Sequence, residues 1–427
     1  MGRLSRDPNT SFSFVHTADL HLGSRIITPA GMDDEALPFS TYDAWQEIIR
    51  LCIEENVDFL LISGDIYDCS DNNIQAQLQF AAGLKRLAAK EIAAYVVHGN
   101  HDPDDGWVRS VTVPKSVHIF SSRDPEVIVH TKRGGQAVAQ IVGMSFPTAS
   151  VFENLAIRFP RRDPDWPYTI GVLHCTVGGM EGHDPYAPCT RSDLISLGYD
   201  YFALGHIHKP ADLSYDRTRI IYPGNPQGRD MGETGWRGCC LVRVDNDGST
   251  EVTYHPTARY SFEEIPVDIT GIDDLGGVEE VIRLRLHEAR KDQDSALICR
   301  VILTGITGIH ATLSGRGGIE ALTKRFREDS PVGEASIHID QIIHKTLPKI
   351  DRDEMKSRED LLGEICRIGD VAVPGEGIFA LLKKEIQGIS DSSVGSDLSP
   401  FDEQQIQEIV SEAEALLLSL LTPEETA

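Results

Sequence analysis

The sequence predicts an α/β layered protein with a smaller α+β domain and a helical C-terminal segment. Two observations carry this prediction. From Phe14 to about Pro256, short β-rich runs alternate with helical patterns and loops. Beyond Pro256 the pattern changes, and from Asp351 onward the chain is rich in Glu and Leu. The expected domains are therefore 1–256, 257–350 and 351–427.

FSFVHTAD reads as the first strand. Between Tyr42 and Asn56 the apolar residues at 45, 48, 49, 52 and 53 fit one face of a helix, and VDFLLIS follows as a continuous apolar strand. Together they make a βαβ unit. A second helix, at about 74–90, leads to the strand AAYVVHG. Later strands read as VAQIVGM, YTIGVLH, YDYFALG, RIIYPG, GCCLVRV and EVTYHP. On a strand, Cys239 and Cys240 face opposite ways. The second region holds the strand SFEEIPVDIT, a helix at about 273–291, the strand ALICRVILTG, a helix at about 318–328 and the strand ASIHIDQII. In the tail, helices at about 353–367, 374–388 and 401–421 are broken by the loop ISDSSVGSDLSP. This tail reads either as a docking segment or as a bundle packed on its own domain.

Bulk properties narrow the function classes. At 427 residues the chain exceeds one ordinary core. Its 41% hydrophobic and 25% charged residues suit a soluble globular protein. No apolar run approaches the roughly 18 to 20 residues of a bilayer span, so no membrane association is expected. Met1 to Ser13 is polar and lacks the apolar stretch of an export signal, which points to the cytoplasm. The eight cysteines are scattered without a CxxC pair and read as reduced, buried thiols. A net charge of −26 opposes general nucleic-acid binding, because phosphate contacts need a positive field. Bound cations reverse that field where a phosphate must sit.

Five short motifs follow predicted strands: Asp19-Leu-His21, Gly64-Asp65-Ile-Tyr-Asp68, Gly99-Asn100-His101-Asp102, His174 after YTIGVL, and Gly205-His206-Ile-His208. Loops at the carboxyl ends of strands are where α/β folds place their sites. Asp, Asn and His offer oxygen and nitrogen donors without thiolate, a set suited to Mn, Fe, Zn or Mg. One carboxylate can bridge two cations, and ions about 3.5 to 4 Å apart activate a water and clamp phosphoryl oxygens. Each motif alone is weak, but their ordered combination at strand ends is strong. Asp19, His21, Asp65, Asn100, His174, His206 and His208 are thus the candidate ligands for two divalent cations.

With DxH, GDxxD, GNHD, a lone His and GHxH in this order, residues from about Ser13 to Pro256 resemble the calcineurin-like metallophosphoesterases. The flanking text HTADLHLG, DFLLISGDIYD, VVHGNHDP, YFALGHIHKP and IYPGNPQGR is most similar to the DNA double-strand-break repair nucleases, in particular the bacterial SbcD and YhaO branch. The resemblance implies a four-layer α/β/β/α sandwich, an α+β cap at 257–350, and Mn2+ as the ion. It implies that Asp19, His21, Asp65 and His208 surround one metal, and that Asp65, Asn100, His174 and His206 surround the other, with Asp65 as the bridge.

Within this pattern His101 faces the leaving group, where an imidazole can donate a proton. Asp68 stands where archaeal and eukaryotic relatives commonly carry His. It reads either as the group that orients His101 or as a loop cap. Asp102 and Pro103 shape the loop. Tyr222, Asn225 and Arg229 in YPGNPQGR are candidates for contact with the substrate backbone, the arginine being equally readable as a solvated loop charge. His16 and His98 read as satisfied core side chains.

The implied activity is exonucleolytic hydrolysis of DNA phosphodiesters in DNA repair. Implied partners are DNA, a second copy of the chain, and an SMC-like coiled-coil ATPase (SbcC/YhaN-like) docked on the C-terminal helices. Two other readings stand beside this one. A metallophosphoesterase acting on a small-molecule or protein phosphoester suits the acidic balance, whereas the extra region at 257–350 favours the nuclease. A noncatalytic scaffold is opposed by the intact ligand set.

Overall fold

The structure, a computed structural model, describes residues 11–27, 32, 37–68, 73–104, 111–132, 135–178, 185–290, 295–328, 336–349, 351–371, 379–381, 383–385 and 403–421. The chain divides into two compact units. One comprises Met1–Glu263, Gln293–Cys299 and Pro331–His338, the other Glu264–Asp292, Arg300–Ser330 and Ile339–Ala427.

The first unit is built on two six-stranded sheets. One contains β1 (Phe12–Thr17), β2 (Phe59–Ser63), β3 (Ala93–Val97), β4 (Val117–Ile119), β11 (Gly238–Val244) and β12 (Thr250–Pro256), in the order β12-β11-β1-β2-β3-β4. The other contains β5 (Glu126–Thr131), β6 (Ala137–Gly143), β7 (Tyr168–His174), β8 (Tyr201–Gly205), β9 (Ala211–Asp212) and β10 (Arg219–Tyr222), in the order β5-β6-β7-β8-β10-β9.

Because side chains alternate along a strand, each central strand feeds two cores. Phe14, Phe59, Leu61 and Cys240 of the first sheet pack against Ile170, Val172, Tyr201 and Ile221 of the second. The rings of Phe14 and Phe59 stack at 5.0 Å, and Tyr201 meets Phe14 edge-on at 5.2 Å. The opposite set, Val15, Leu60, Ile62, Val96 and Cys239, packs under helices α1 (Ser40–Glu54) and α2 (Ile74–Ala89). There α1 buries Trp45, Ile48, Ile49 and Cys52, the apolar face that its spacing predicts. On the far side, Leu173, Phe202, Leu204 and Tyr222 lie under a thin layer of short pieces. These are α3 (Arg191–Ser196), a 3-10 turn at Ala156–Arg158, and loops. The result is the four-layer α/β/β/α sandwich.

The sequence pattern does not predict the strands β4, β5 and β9 or the helix α3. They span two to six residues, too few for a periodic signal, and β5 is an edge strand with Val127 and Val129 exposed.

A three-stranded sheet of β13 (Tyr260–Asp268), β14 (Ala296–Thr307) and β15 (Ile337–Pro348), in that order, contributes its residues from Glu264, Arg300 and Ile339 onward to the second unit, which also holds helices α4 (Leu275–Arg290), α5 (His310–Ser314) and α6 (Gly318–Glu328). Val278, Ile282 and Leu286 are buried one turn apart along α4. The tail holds α7 (Arg352–Lys356), α8 (Leu361–Val371) and α9 (Glu403–Leu421). Leu362, Cys366 and Leu418 are buried together, and Arg352 bridges Asp370 and Glu414, each at 2.6 Å.

The single helix expected at 353–367 is two helices. Asp360 accepts hydrogen bonds from the backbone N–H groups of Leu362 (3.1 Å) and Gly363 (3.3 Å), so it starts α8 afresh. The helix expected at 374–388 lies largely outside the described residues, and the Ser/Asp loop lies wholly outside them. No described helix is long and apolar enough to cross a membrane.

Candidate metal centre

Strands β1, β2 and β3 run parallel in one sheet, and β7 and β8 run parallel in the other. Their carboxyl ends carry all seven candidate ligands, His174 as the last residue of β7 and the other six in the loops that follow, as α/β architecture favours. Asp19, His21, Asp65 and His208 each offer a ligand atom, all within 4.8 Å of one another, and so do Asp65, His174 and His206. Asp65 belongs to both groups. Asn100 joins the second, its Oδ1 lying 2.9 Å from His174 Nε2 and 3.1 Å from His206 Nδ1.

The main chain is bent to achieve this. Asp19 (φ 52°), His21 (42°), Asp65 (51°) and His206 (98°) all adopt the left-handed backbone that side chains disfavour. Such conformations cost roughly 1–3 kcal/mol each and persist only where the surroundings over-determine them. Here the surroundings are hydrogen bonds between loops. Asp19 N–H donates to the Gly64 carbonyl (3.0 Å), His21 N–H to that of Asp65 (3.0 Å), and His206 N–H to the Asp19 carboxylate (2.9 Å). Asp102 knits the next loop in, accepting from the N–H groups of Asp65 (3.2 Å), Ile66 (2.9 Å) and Gly99 (2.8 Å). A side chain at Gly99 would collide with the Asp65 carboxylate, and one at Gly64 (φ +93°) with the His174 ring.

The donor set fits a cation. His21 Nδ1 lies 3.0 Å from Asp68 Oδ1, and His208 Nδ1 lies 2.6 Å from Glu233 Oε1. These carboxylates fix the protons on Nδ1, so both Nε2 atoms present lone pairs. Yet the two Nε2 atoms face each other at 3.2 Å. Facing lone pairs repel unless positive charge sits between them. Electrostatics point the same way. Burial would raise Asp65, but the charge and hydrogen bond of His174, followed by His21, hold it well below the usual carboxylate range. Burial opposes a charged His174, yet Asp65 and then Asp19 raise it to about 9. Burial pushes Asp19 up and His21 down. The cluster thus favours added positive charge, which a divalent cation supplies to an oxygen and nitrogen donor set.

His101 stands at the edge of this cluster with its side chain 47% exposed, and its N–H donates to Asp65 Oδ1 at 2.9 Å. Its Nδ1 lies 2.8 Å from Asp68 Oδ1, so Asp68 holds both His21 and His101. The Asp68 hydrogen bond outweighs burial and raises His101 above an ordinary histidine. Burial would raise Asp68 itself, but His101 and His21 hold it far below the carboxylate range.

The reading of Tyr222 and Asn225 as substrate contacts needs correction. Tyr222 is fully buried; its hydroxyl donates to the Cys175 carbonyl (2.8 Å) and accepts from Val177 N–H (3.0 Å). It braces the segment after His174. Asn225 is 1% exposed and spans Gln227, Glu233 and Arg237. Arg229 is partly exposed, paired with Glu233 at 2.8 Å and 3.3 Å from His208 Nδ1. The residue that sequence reasoning missed is Glu233, which lies in no motif. His16 is a core side chain between Tyr201 and Ser63, and His98 lies 3.4 Å from Asp102.

Comparison with known proteins agrees with this geometry. The model of the calcineurin-like phosphoesterase family matches residues 12–210, and that of the middle domain of metallophosphoesterase YhaO matches residues 262–346. The chain is 37% identical over 322 residues to the metallophosphoesterase YhaO of Bacillus subtilis (strain 168), covering 75% of this chain and 78% of that protein. It is 23% identical over 275 residues to the DNA double-strand break repair protein Mre11 of Methanopyrus kandleri, covering 60% and 59%. It is also 22% identical over 276 residues to one of the subunits of the nuclease SbcCD of Bacillus subtilis (strain 168), covering 56% and 68%. By sequence, fold and a buried Asp/His cluster suited to divalent metal, the chain belongs to the calcineurin-like metallophosphoesterases, hydrolases of phosphoester bonds.

Proposed function

We propose that this chain is a two-metal-dependent DNA phosphodiesterase, an exonuclease of DNA repair loaded with Mn2+. The observation that carries the reading is that Asp65 serves two donor groups at whose edge His101 stands half exposed. Asp19, His21, Asp65 and His208 would hold one cation, and Asp65, Asn100, His174 and His206 the other. Bound there, two divalent cations supply Lewis acidity toward phosphoryl oxygens and turn water into a nucleophile at neutral pH. His101 is the acid. Its Nδ1 is engaged by Asp68, so Nε2 delivers the proton to the departing sugar oxygen. DNA as substrate draws support from relatives named as a DNA double-strand break repair protein and as part of a nuclease.

In the tail, Leu361, Ile368, Leu416, Leu417 and Leu421 are exposed apolar side chains on α8 and α9. The proposal assigns this surface to an SMC-like coiled-coil ATPase. It takes 1–256 as the catalytic domain, 257–350 as the cap and 351–427 as the docking segment.

The test is hydrolysis of end-labelled duplex and single-stranded DNA with Mn2+, beside a small chromogenic diester. DNA should be cut, and Asp65→Asn should lower the rate by about 10³-fold or more, as loss of charge stabilisation by both cations requires. Turnover of the small diester alone would move the assignment to a small-molecule phosphoester, which the net charge of −26 favours. For the partner, Leu416→Asp with Leu417→Asp should abolish co-elution with the ATPase; retained co-elution rejects the docking role.

A further inference from the structure

The metal cluster is connected to the surface by aromatic rings. Tyr186 meets the imidazole of His206 edge-on, with centroids 5.7 Å apart, and Phe152 lies over Tyr186 at the same 5.7 Å, tilted by 37°. Tyr186 is partly buried, packed on the core beneath the thin outer layer. Phe152 is 65% exposed, among the most exposed of the large apolar side chains. A lone surface phenylalanine is unremarkable. This one differs because it ends a ring series that begins at a candidate ligand, and because its loop is fixed. Ala187 N–H donates to the Val151 carbonyl at 2.7 Å, and Thr176 N–H donates to the Tyr186 carbonyl at 3.0 Å. Both rings are therefore anchored to the segment that follows His174. The chain then continues through Arg158 and Arg162, which pair with Asp124 (3.1 Å) and Asp200 (2.7 Å), so the platform rests on the rings and not on a basic patch.

We propose that Phe152, backed by Tyr186, is a stacking platform for a nucleobase of the strand whose phosphate sits at the metal cluster. The inference rests on the nuclease reading and adds a specificity-determining residue to it. A flat, exposed π-face one ring removed from a candidate ligand accepts any base, because every base has a π-face. Such a platform holds a single strand without reading its sequence. It also selects nucleic acid over phosphoesters that carry no flat ring, which the acidic surface does not do.

The test compares wild type, Phe152→Ala and Phe152→Trp with Mn2+ on two single-stranded substrates. One is an oligothymidylate, and the other is the same strand with abasic residues on both sides of the scissile phosphate. Phe152→Ala should raise KM on the oligothymidylate about tenfold, the size of one lost base–aromatic stack, and Phe152→Trp should restore it. On the abasic strand the three proteins should share one KM. Equal changes on both strands, or no change on either, overturn the platform while leaving the nuclease reading intact. A wild type that cuts neither strand overturns the nuclease reading, and the platform falls with it.

Discussion

The two donor groups meet at Asp65 but are braced differently. In the first, the imidazoles of His21 and His208 are held by carboxylates, Asp68 and Glu233. In the second, His174 Nδ1 lies 2.9 Å from the Ser63 carbonyl, while the contact of His206 with Asn100 Oδ1 is one between two candidate ligands. A carboxylate behind an imidazole makes it a more basic ligand, whereas a carbonyl orients it without lending charge. Of the four imidazoles, His21, His174 and His206 are buried, and His208 is 19% exposed. The first group is thus tuned by charge, and His174 of the second is set by the sheet itself. The first should accordingly yield to single substitutions that leave the second untouched.

The largest departure is expected from Asp68→Asn, because Asp68 holds both His21 and His101. Affinity for one cation should fall about 10- to 100-fold, and loss of acid catalysis should lower kcat by up to about 10²-fold. The pH profile gives the sign. Asp68 raises His101, so the protonated acid persists to higher pH; without that carboxylate, the alkaline limb of kcat moves to lower pH. An unmoved limb would remove His101 from the acid role. Glu233→Gln comes next, with one of two calorimetric binding events weakened about 10- to 100-fold and the other preserved. If both events weaken together, the proposed division between the groups is wrong. The smallest effect belongs to Tyr222→Phe, which removes a brace near the second group. It should cost about 1 kcal/mol in denaturant unfolding and leave KM for DNA unchanged; a raised KM would reinstate Tyr222 as a substrate contact.

Legibility in the sequence divided along a similar line. The candidate ligands could be read because each follows a strong apolar strand within a few residues, so local pattern places them at one end of the sheets. Glu233 could not. It lies 25 residues from His208 and four beyond the text IYPGNPQGR, so no local pattern pairs the two. Tyr222 and Asn225 were misread for a related reason. Polar residues around a Pro-Gly turn resemble a substrate loop, and only tertiary packing reveals that their polar atoms are satisfied inside the chain. The main layers were legible from alternation and helical spacing, whereas the outer layer over the second sheet was not. A six-residue helix and a three-residue turn have too little length to announce themselves.

The left-handed backbones at Asp19, His21, Asp65 and His206 bear on which ions the protein can use. At such positions folding alone would prefer glycine, so a carboxylate or imidazole there is retained at the expense of stability. In return, the donors are aimed by the main chain, cross-linked loop to loop. A cradle of this kind cannot widen to follow a larger guest or contract around a smaller one. Selection among divalent ions then falls to radius and preferred coordination number, and an ill-fitting ion is rejected by its own geometry.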